Sequence, residues 1–215
     1  KNDKQAIILY NKDDKNLNSL FKNRNKSSGF SLKKGDFTAQ NIEYNNFKSR
    51  FDFYHAGEFI TSIELSVPGE YNLYNALAAA AAAWKLKIET ESIKAALKEF
   101  SGVGRRFDFK GKIINSSVDL IDDYAHHPTE IKELLKTVKN MSYNKIRVVF
   151  QPHRYSRTHK FYQEFTQAFA DADQVYLTDI FYAFEKNNFI ISMPVFAETI
   201  ANNFLEKLNN KKKNK

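Results

Sequence analysis

The chain contains no cysteine. Disulfide and thiolate chemistry are thereby excluded, and a reducing compartment is compatible with the composition. It also lacks a long hydrophobic run. The longest, Ala76 to Trp84, is too short and too rich in alanine to span a bilayer. No apolar signal region follows Lys1-Asn2-Asp3-Lys4. A soluble, cytoplasmic protein with no membrane role is expected. Glycine is scarce, with seven in 215 residues, and none has the G-x-x-x-x-G-K-[ST] spacing of a phosphate-cradling P-loop. Internal repeats are absent, as is the aromatic-basic motif of an RNA-binding sheet.

What is present indicates a folded chain. Apolar residues make up 42% and aromatics 14%, enough for a core and against global disorder. The length suits one large domain or two small ones. The net charge of +8 comes from lysine dispersed along the chain and from the tail Lys211-Lys212-Lys213-Asn214-Lys215. Dispersed charge reads as a compositional habit, so no nucleic-acid partner is expected.

The first 70 residues read mostly as strands. Ile7 to Tyr10 is a short apolar run. Phe51–Tyr54 and Phe59–Val67 flank Ala56-Gly57, and Phe59, Thr61, Ile63, Leu65 and Val67 alternate onto one face. That is a hairpin pattern. After Val67-Pro68-Gly69 the alanine-dominated stretch Asn72–Leu86 predicts a helix. A second is predicted over Thr90–Phe100, with Thr90 as N-cap, Glu91 in the first turn and Gly102 as the stop. Ser101–Gly104 reads as a hinge.

Beyond it, strands and helices alternate. Strands are predicted at Val118–Ile121, Ile146–Phe150 and Val175–Leu177. Helices are predicted from Pro128, with the stripe Ile131, Leu134, Leu135, Val138 and Met141, and over Lys160–Ala172, with Phe161, Phe165 and Phe169 inward. A last helix is predicted from Pro194, with Phe196, Ile200, Phe204 and Leu208 inward. This alternation implies right-handed crossovers and a parallel sheet.

Three polar clusters each follow a strand and precede a helix. They are Asp122-Asp123-Tyr124-Ala125-His126-His127-Pro128, then Gln151-Pro152-His153-Arg154-Tyr155-Ser156-Arg157-Thr158, then Thr178 to Glu185. In a parallel sheet all three emerge at the carboxyl edge, where open α/β sheets bind ligands. The chemistry points to an anion. Arg154 and Arg157 are spaced so that both guanidinium groups can face one carboxylate or phosphate, and a helix N-terminus after Thr158 would add N–H donors. Asp122 and Asp123 can accept ribose hydroxyls or help hold a metal. His126-His127 with no third ligand at metal spacing is a poor zinc site. No single residue decides this reading; co-location does.

These segments resemble one family. Gly69-Glu70-Tyr71-Asn72-Leu73-Tyr74-Asn75-Ala76-Leu77-Ala78-Ala79 is similar to the end of the ATP-binding central domain of the Mur ligases. Phe100-Ser101-Gly102-Val103-Gly104-Arg105-Arg106-Phe107 resembles the junction into their C-terminal domain. Asp122 to Glu130 resembles the next signature. Phe150-Gln151-Pro152-His153-Arg154-Tyr155-Ser156-Arg157-Thr158 is most like the member that adds L-alanine.

The resemblance implies an α/β fold: the mixed α/β end of a central domain over residues 1–102, then a Rossmann-like parallel sheet with flanking helices over 103–215. It implies ligation of L-alanine to UDP-N-acetylmuramate in peptidoglycan synthesis, with ATP activating the carboxylate as an acyl phosphate. By the same resemblance Asn72, Asn75, Arg105, Arg106 and Asp123 would bind ATP. Tyr124, His127, His153, Arg154 and Arg157 would bind substrate. The P-loop, the ligands of Mg2+ and the UDP-binding domain would lie upstream in the same enzyme, so the isolated chain is expected to be inactive. Tyr71 departs from the histidine common in the alanine-adding member. Two alternatives stay open: a relative taking another amino acid or muropeptide, and a non-catalytic nucleotide-binding remnant.

Overall fold

The computed structural model describes residues 6–113, 116–186, 193 and 196–201. The chain divides into two compact units, residues 1–121 and 122–215.

The first unit is built on a five-stranded sheet in the order β1-β2-β3-β4-β5. Its strands are β1 (Ile8–Asn11), β2 (Ser27–Ser31), β3 (Phe37–Asn45), β4 (Lys48–His55) and β5 (Glu58–Leu65). β1, β2 and β3 run parallel, and β3, β4 and β5 are antiparallel. The predicted hairpin is present. Ala56 and Gly57 both take left-handed angles, φ 53° and 88°, as a tight turn between right-twisted strands requires. Phe59 differs from expectation. Phe53 pairs with Thr61 and Tyr54 with Phe59, so Ile60 is an extra residue in β5. This bulge reverses the alternation and leaves Phe59 exposed against Tyr54, while Thr61, Ile63, Leu65 and Val67 are buried.

A short helix, α1 (Lys15–Phe21), was not legible from apolar spacing, because none of its residues is buried. It is started instead by Asp14, whose carboxylate accepts from the backbone N–H of Asn16 and Leu17. The alanine-rich segment forms α2 (Glu70–Lys85). Its small side chains Ala76, Ala80 and Ala81 let it lie close on the sheet beside Leu73 and Leu77, over Phe37, Phe51 and Phe53. Gly69 precedes it at φ 97°, a conformation that favours glycine. Next comes α3 (Thr90–Glu99), whose N-cap is Glu89 rather than Thr90; Thr90 is already helical.

The carboxylate of Asp13 ties this unit together. It accepts from the Ser31 hydroxyl at 2.8 Å, the Leu32 N–H at 2.9 Å and the Tyr74 hydroxyl at 2.9 Å. Burial, and then Asp13 itself, push the Tyr74 hydroxyl pKa upward, so it remains a donor. β6 (Asp108–Lys112) and β7 (Asp119–Asp122) form a separate two-stranded sheet. The strand expected at 118–121 therefore has β6 as its partner, and β6 itself was not anticipated.

In the second unit β8 (Arg147–Phe150) and β9 (Gln174–Leu177) pair in parallel, from Arg147 opposite Gln174 to Phe150 opposite Leu177. A bridge between His153 and Phe181 continues the pairing past the strand ends. α4 (Pro128–Lys139) begins at Pro128 as predicted and buries Ile131 and Leu135. The helix predicted over 160–172 is the shorter α6 (Tyr162–Ala168), and a further helix, α5 (Tyr155–Lys160), precedes it. Phe161 breaks them at φ −110°, ψ 26°, and its ring lies edge-on to His127 at 4.5 Å. Phe165 and Phe169 are fully buried and meet Phe150 at 5.6 and 5.2 Å between centroids. Residues 196–201 are helical, with Phe196 and Ile200 buried. Pro194, Phe204 and Leu208 lie outside the described residues. Among the described residues, no helix is long and apolar enough to cross a membrane.

Candidate substrate-binding site

Two of the three polar clusters are bound to each other at the carboxyl ends of β8 and β9, and the first joins them through its rings. That first cluster leads into α4. The Asp123 carboxylate accepts from the Ala125 N–H at 2.7 Å, which turns the chain. The Glu130 carboxylate reaches back to the N–H groups of His126 and His127 at 3.0 and 3.1 Å. His127 Nδ1 accepts from the Thr129 N–H at 3.3 Å. His127 is thus a helix cap with Phe161 on its face. Its neighbour His126 bonds the Tyr124 carbonyl at 2.8 Å and turns its ring toward the second cluster.

That cluster follows β8. The His153 ring lies 5.9 Å from His126, 6.1 Å from Tyr124 and 5.4 Å from Phe181. Arg157 Nη1 sits 3.4 Å from His153 Nδ1 and 3.5 Å from its carbonyl. Burial lowers the pKa of His153 below its ordinary value, and the charges of Arg157, His126 and Arg154 lower it further against the opposing pull of Glu185. The shift favours the neutral imidazole, and a guanidinium is held beside it. Arg154 and Arg157 do not share one partner. The Arg154 guanidinium is half exposed and faces Glu185 at 4.0 Å, whereas that of Arg157 lies on His153.

The helix expected to begin after Thr158 begins earlier, at Tyr155. Thr158 lies fully buried within α5, its hydroxyl bonded to the Arg154 carbonyl at 2.9 Å. The donors near that N-terminus meet the third cluster instead. Glu185 accepts from the Ser156 N–H at 3.1 Å and from its hydroxyl at 2.6 Å. These bonds, with Arg154, hold the Glu185 pKa below the usual carboxylate value. His126, Ser156 and Glu185 carry no motif of their own in the sequence. Their only signal was membership of the three clusters.

The residues expected to bind nucleotide are divided. Asn72, Asn75, Arg105 and Arg106 belong to the first unit and Asp123 to the second. Asn72 spends its amide N–H on the Pro68 carbonyl at 2.7 Å, so it fixes the start of α2. Asn75, one helical turn on, is exposed, as are Arg105 and Arg106. Arg105 takes a left-handed φ of 59°, and its N–H meets Asp108 at 3.2 Å. Among the described residues, no group of three or more His, Asp or Glu side chains is placed to hold a metal ion.

Comparison with known proteins matches both parts of the chain. Residues 1–83 match the Mur ligase middle domain, and residues 105–207 match the Mur ligase glutamate ligase domain. The UDP-N-acetylmuramate–L-alanine ligase of Clostridium acetobutylicum is 41% identical over 208 residues, covering 96% of this chain and 45% of that protein. That of Clostridium tetani is 40% identical over 191 residues, covering 88% and 41%. The crystal structure of the UDP-N-acetylmuramate-alanine ligase of Thermotoga maritima superposes with a TM-score of 0.74 at 29% identity, covering 91% of this chain and 41% of that one. A MurF ligase from Thermotoga maritima in complex with ADP shares the fold, with a TM-score of 0.66 at 19% identity, covering 91% and 42%. The chain spans less than half the length of these relatives. With two successive domains matched in order and its polar loops gathered at the carboxyl edge of a parallel sheet, the chain belongs to the Mur ligase family.

Proposed function

We propose that this chain is the C-terminal part of a cytoplasmic UDP-N-acetylmuramate–L-alanine ligase, which uses ATP to activate the muramoyl carboxylate as an acyl phosphate that the amine of L-alanine attacks. The observation that carries the reading is the Arg157 guanidinium held against the His153 ring, with Tyr124 and His126 around them. A guanidinium beside an aromatic ring suits the carboxylate of a small amino acid: the cation binds the anion, and the lowered pKa of His153 disfavours a second positive charge beside the incoming amine. Arg154 supports the same loop, and His127 holds it through α4. The resemblance of the loop His153–Thr158 to that of the alanine-adding member selects the amino acid.

In this reading the hinge after Gly102 separates the domains, with 1–102 on the ATP side and 103–215 on the amino-acid side. Asn75 would meet the adenine and Asn72 would fix its helix. Arg105 and Arg106 would lie near the nucleotide, and Asp123 would take the ribose hydroxyls. Mg2+, when bound, would neutralise phosphate charge, and its ligands and the P-loop are assigned to the rest of the enzyme. Catalysis is then positioning and charge stabilisation.

The test is amino-acid-dependent phosphate release by the complete ligase with UDP-N-acetylmuramate and ATP. L-Alanine is expected to be the preferred acceptor. Preference for another amino acid or a muropeptide would overturn the substrate assignment. The 215-residue chain alone is expected to release no phosphate in response to alanine.

A further inference from the structure

The loops after β8 and β9 hold backbone that L-residues rarely adopt. Arg154 has φ 73°, Ala183 47° and Phe184 65°, and none is glycine. Such residues persist only where their surroundings over-determine them. Here the surroundings are cross-links between the two loops. The Arg154 N–H donates to the Phe181 carbonyl at 2.8 Å, and the Phe181 N–H donates to the Pro152 carbonyl at 2.8 Å. The Glu185 side chain adds to these links. One carboxylate oxygen of Glu185 takes the Ser156 N–H, the other takes the Ser156 hydroxyl, and Arg154 approaches at 4.0 Å.

Two consequences follow. The Ser156 N–H at the start of α5 already has a carboxylate from this chain. The two arginines are also sorted: Arg154 is turned to Glu185, and Arg157, one residue beyond Ser156 in α5, is presented with His153.

We infer that Glu185 is a positioning residue for the amino-acid-binding loop: through Ser156 it sets where α5 begins, and so where the Arg157 guanidinium points. This rests on the reading that His153 and Arg157 receive the amino acid. Glu185 touches no reacting atom in this scheme. Its effect should appear in amino-acid binding and not in nucleotide binding.

The experiment uses the complete ligase with Glu185→Ala, Glu185→Gln and Ser156→Ala. Glu185→Ala is expected to raise the KM for L-alanine about tenfold or more and to leave the KM for ATP within about twofold. Glu185→Gln keeps an oxygen that can accept from Ser156, so it should recover part of that loss. Ser156→Ala keeps the backbone donor and should fall between parent and Glu185→Ala. An unchanged alanine KM in Glu185→Ala overturns the proposal. So does an equal rise in both KM values together with a lowered unfolding midpoint, which marks a staple of the fold alone. If Glu185→Ala does not fold, Glu185→Gln and Ser156→Ala carry the test by the same split. A parent enzyme that shows no response to L-alanine overturns the functional reading itself. A responsive parent with insensitive variants overturns only the role of Glu185.

Discussion

The β4–β5 turn and the loops beyond β8 and β9 use the same left-handed backbone in different ways. At the turn, Ala56 and Gly57 share it, a glycine takes the larger angle, and a Cβ on Gly57 would meet nothing within 4 Å. The turn joins two long antiparallel strands and carries no chemistry. In the second unit Arg154, Ala183 and Phe184 hold left-handed angles with no glycine among them, and Phe184 is 94% exposed. Their neighbours are the guanidinium groups, the imidazole and the carboxylate of the candidate site. The difference lies in what holds the backbone: the turn places one of its two left-handed angles on a glycine, whereas the loops of the candidate site place theirs on non-glycine residues held by cross-links between the loops.

The largest effect that would break this comparison concerns Arg157. In the complete ligase, Arg157→Ala is expected to lower kcat/KM for L-alanine by about 10²–10³-fold, since a charge-assisted partner of the carboxylate is lost. Ala56→Gly at the turn should leave the same constant unchanged. Steady-state kinetics on both variants would reverse the comparison if the turn variant proved the more damaging.

Next are the cores. Phe165→Ala in the second unit and Phe53→Ala in the first each remove a ring that is buried to 1% exposure or less, and each should cost about 3–5 kcal/mol. Urea unfolding should show each substitution lowering the transition of its own unit. Equal displacement of a single shared transition by both would show one cooperative block.

Smaller effects test the strain directly. Gly57→Ala should destabilise by about 1 kcal/mol, whereas Ala183→Gly should be neutral or stabilise by up to about 1 kcal/mol, because it relieves a left-handed residue at some entropic cost. Loss of stability in Ala183→Gly would show that Ala183 is not strained.

The smallest effect is a titration. NMR of the His153 ring should place its pKa below the ordinary 6.5, and Arg157→Gln should move it upward. The sign follows from linkage. A histidine whose folded pKa is depressed contributes stability that is fully present above 6.5 and is lost as pH falls through the folded value. Unfolding midpoints measured downward from neutral pH should therefore fall over that range, and Arg157→Gln should weaken the His153 contribution.

Local signals in the sequence were read well where one element supplies its own reasons. The β4–β5 hairpin, the alanine helix α2 and the opening of α4 at Pro128 are each specified by residues adjacent in sequence. Reading failed where the deciding contact is distant or polar. α1 has no buried residue and depends on the Asp14 cap. The bulge at Ile60 follows from register against β4, which alternation cannot reveal. The break at Phe161 goes with packing on His127, and α5 before it carries no long apolar stripe to announce it.

The sequence by itself determined that this is an α/β chain without cysteine or P-loop, with three polar clusters due at one sheet edge, and it carried the Mur ligase resemblance. Periodicity and strand–helix order suffice for that, because they depend on neighbours along the chain. Only the tertiary structure decided how those clusters divide their work. Glu185 lies 29 residues from Ser156, so no local pattern shows that it occupies the start of α5, draws off Arg154 and leaves Arg157 with His153. Likewise, His127 proved to be a cap and His126 the ring beside His153. Partnership among polar groups is set by three-dimensional proximity and hydrogen-bond geometry, which composition and spacing do not contain.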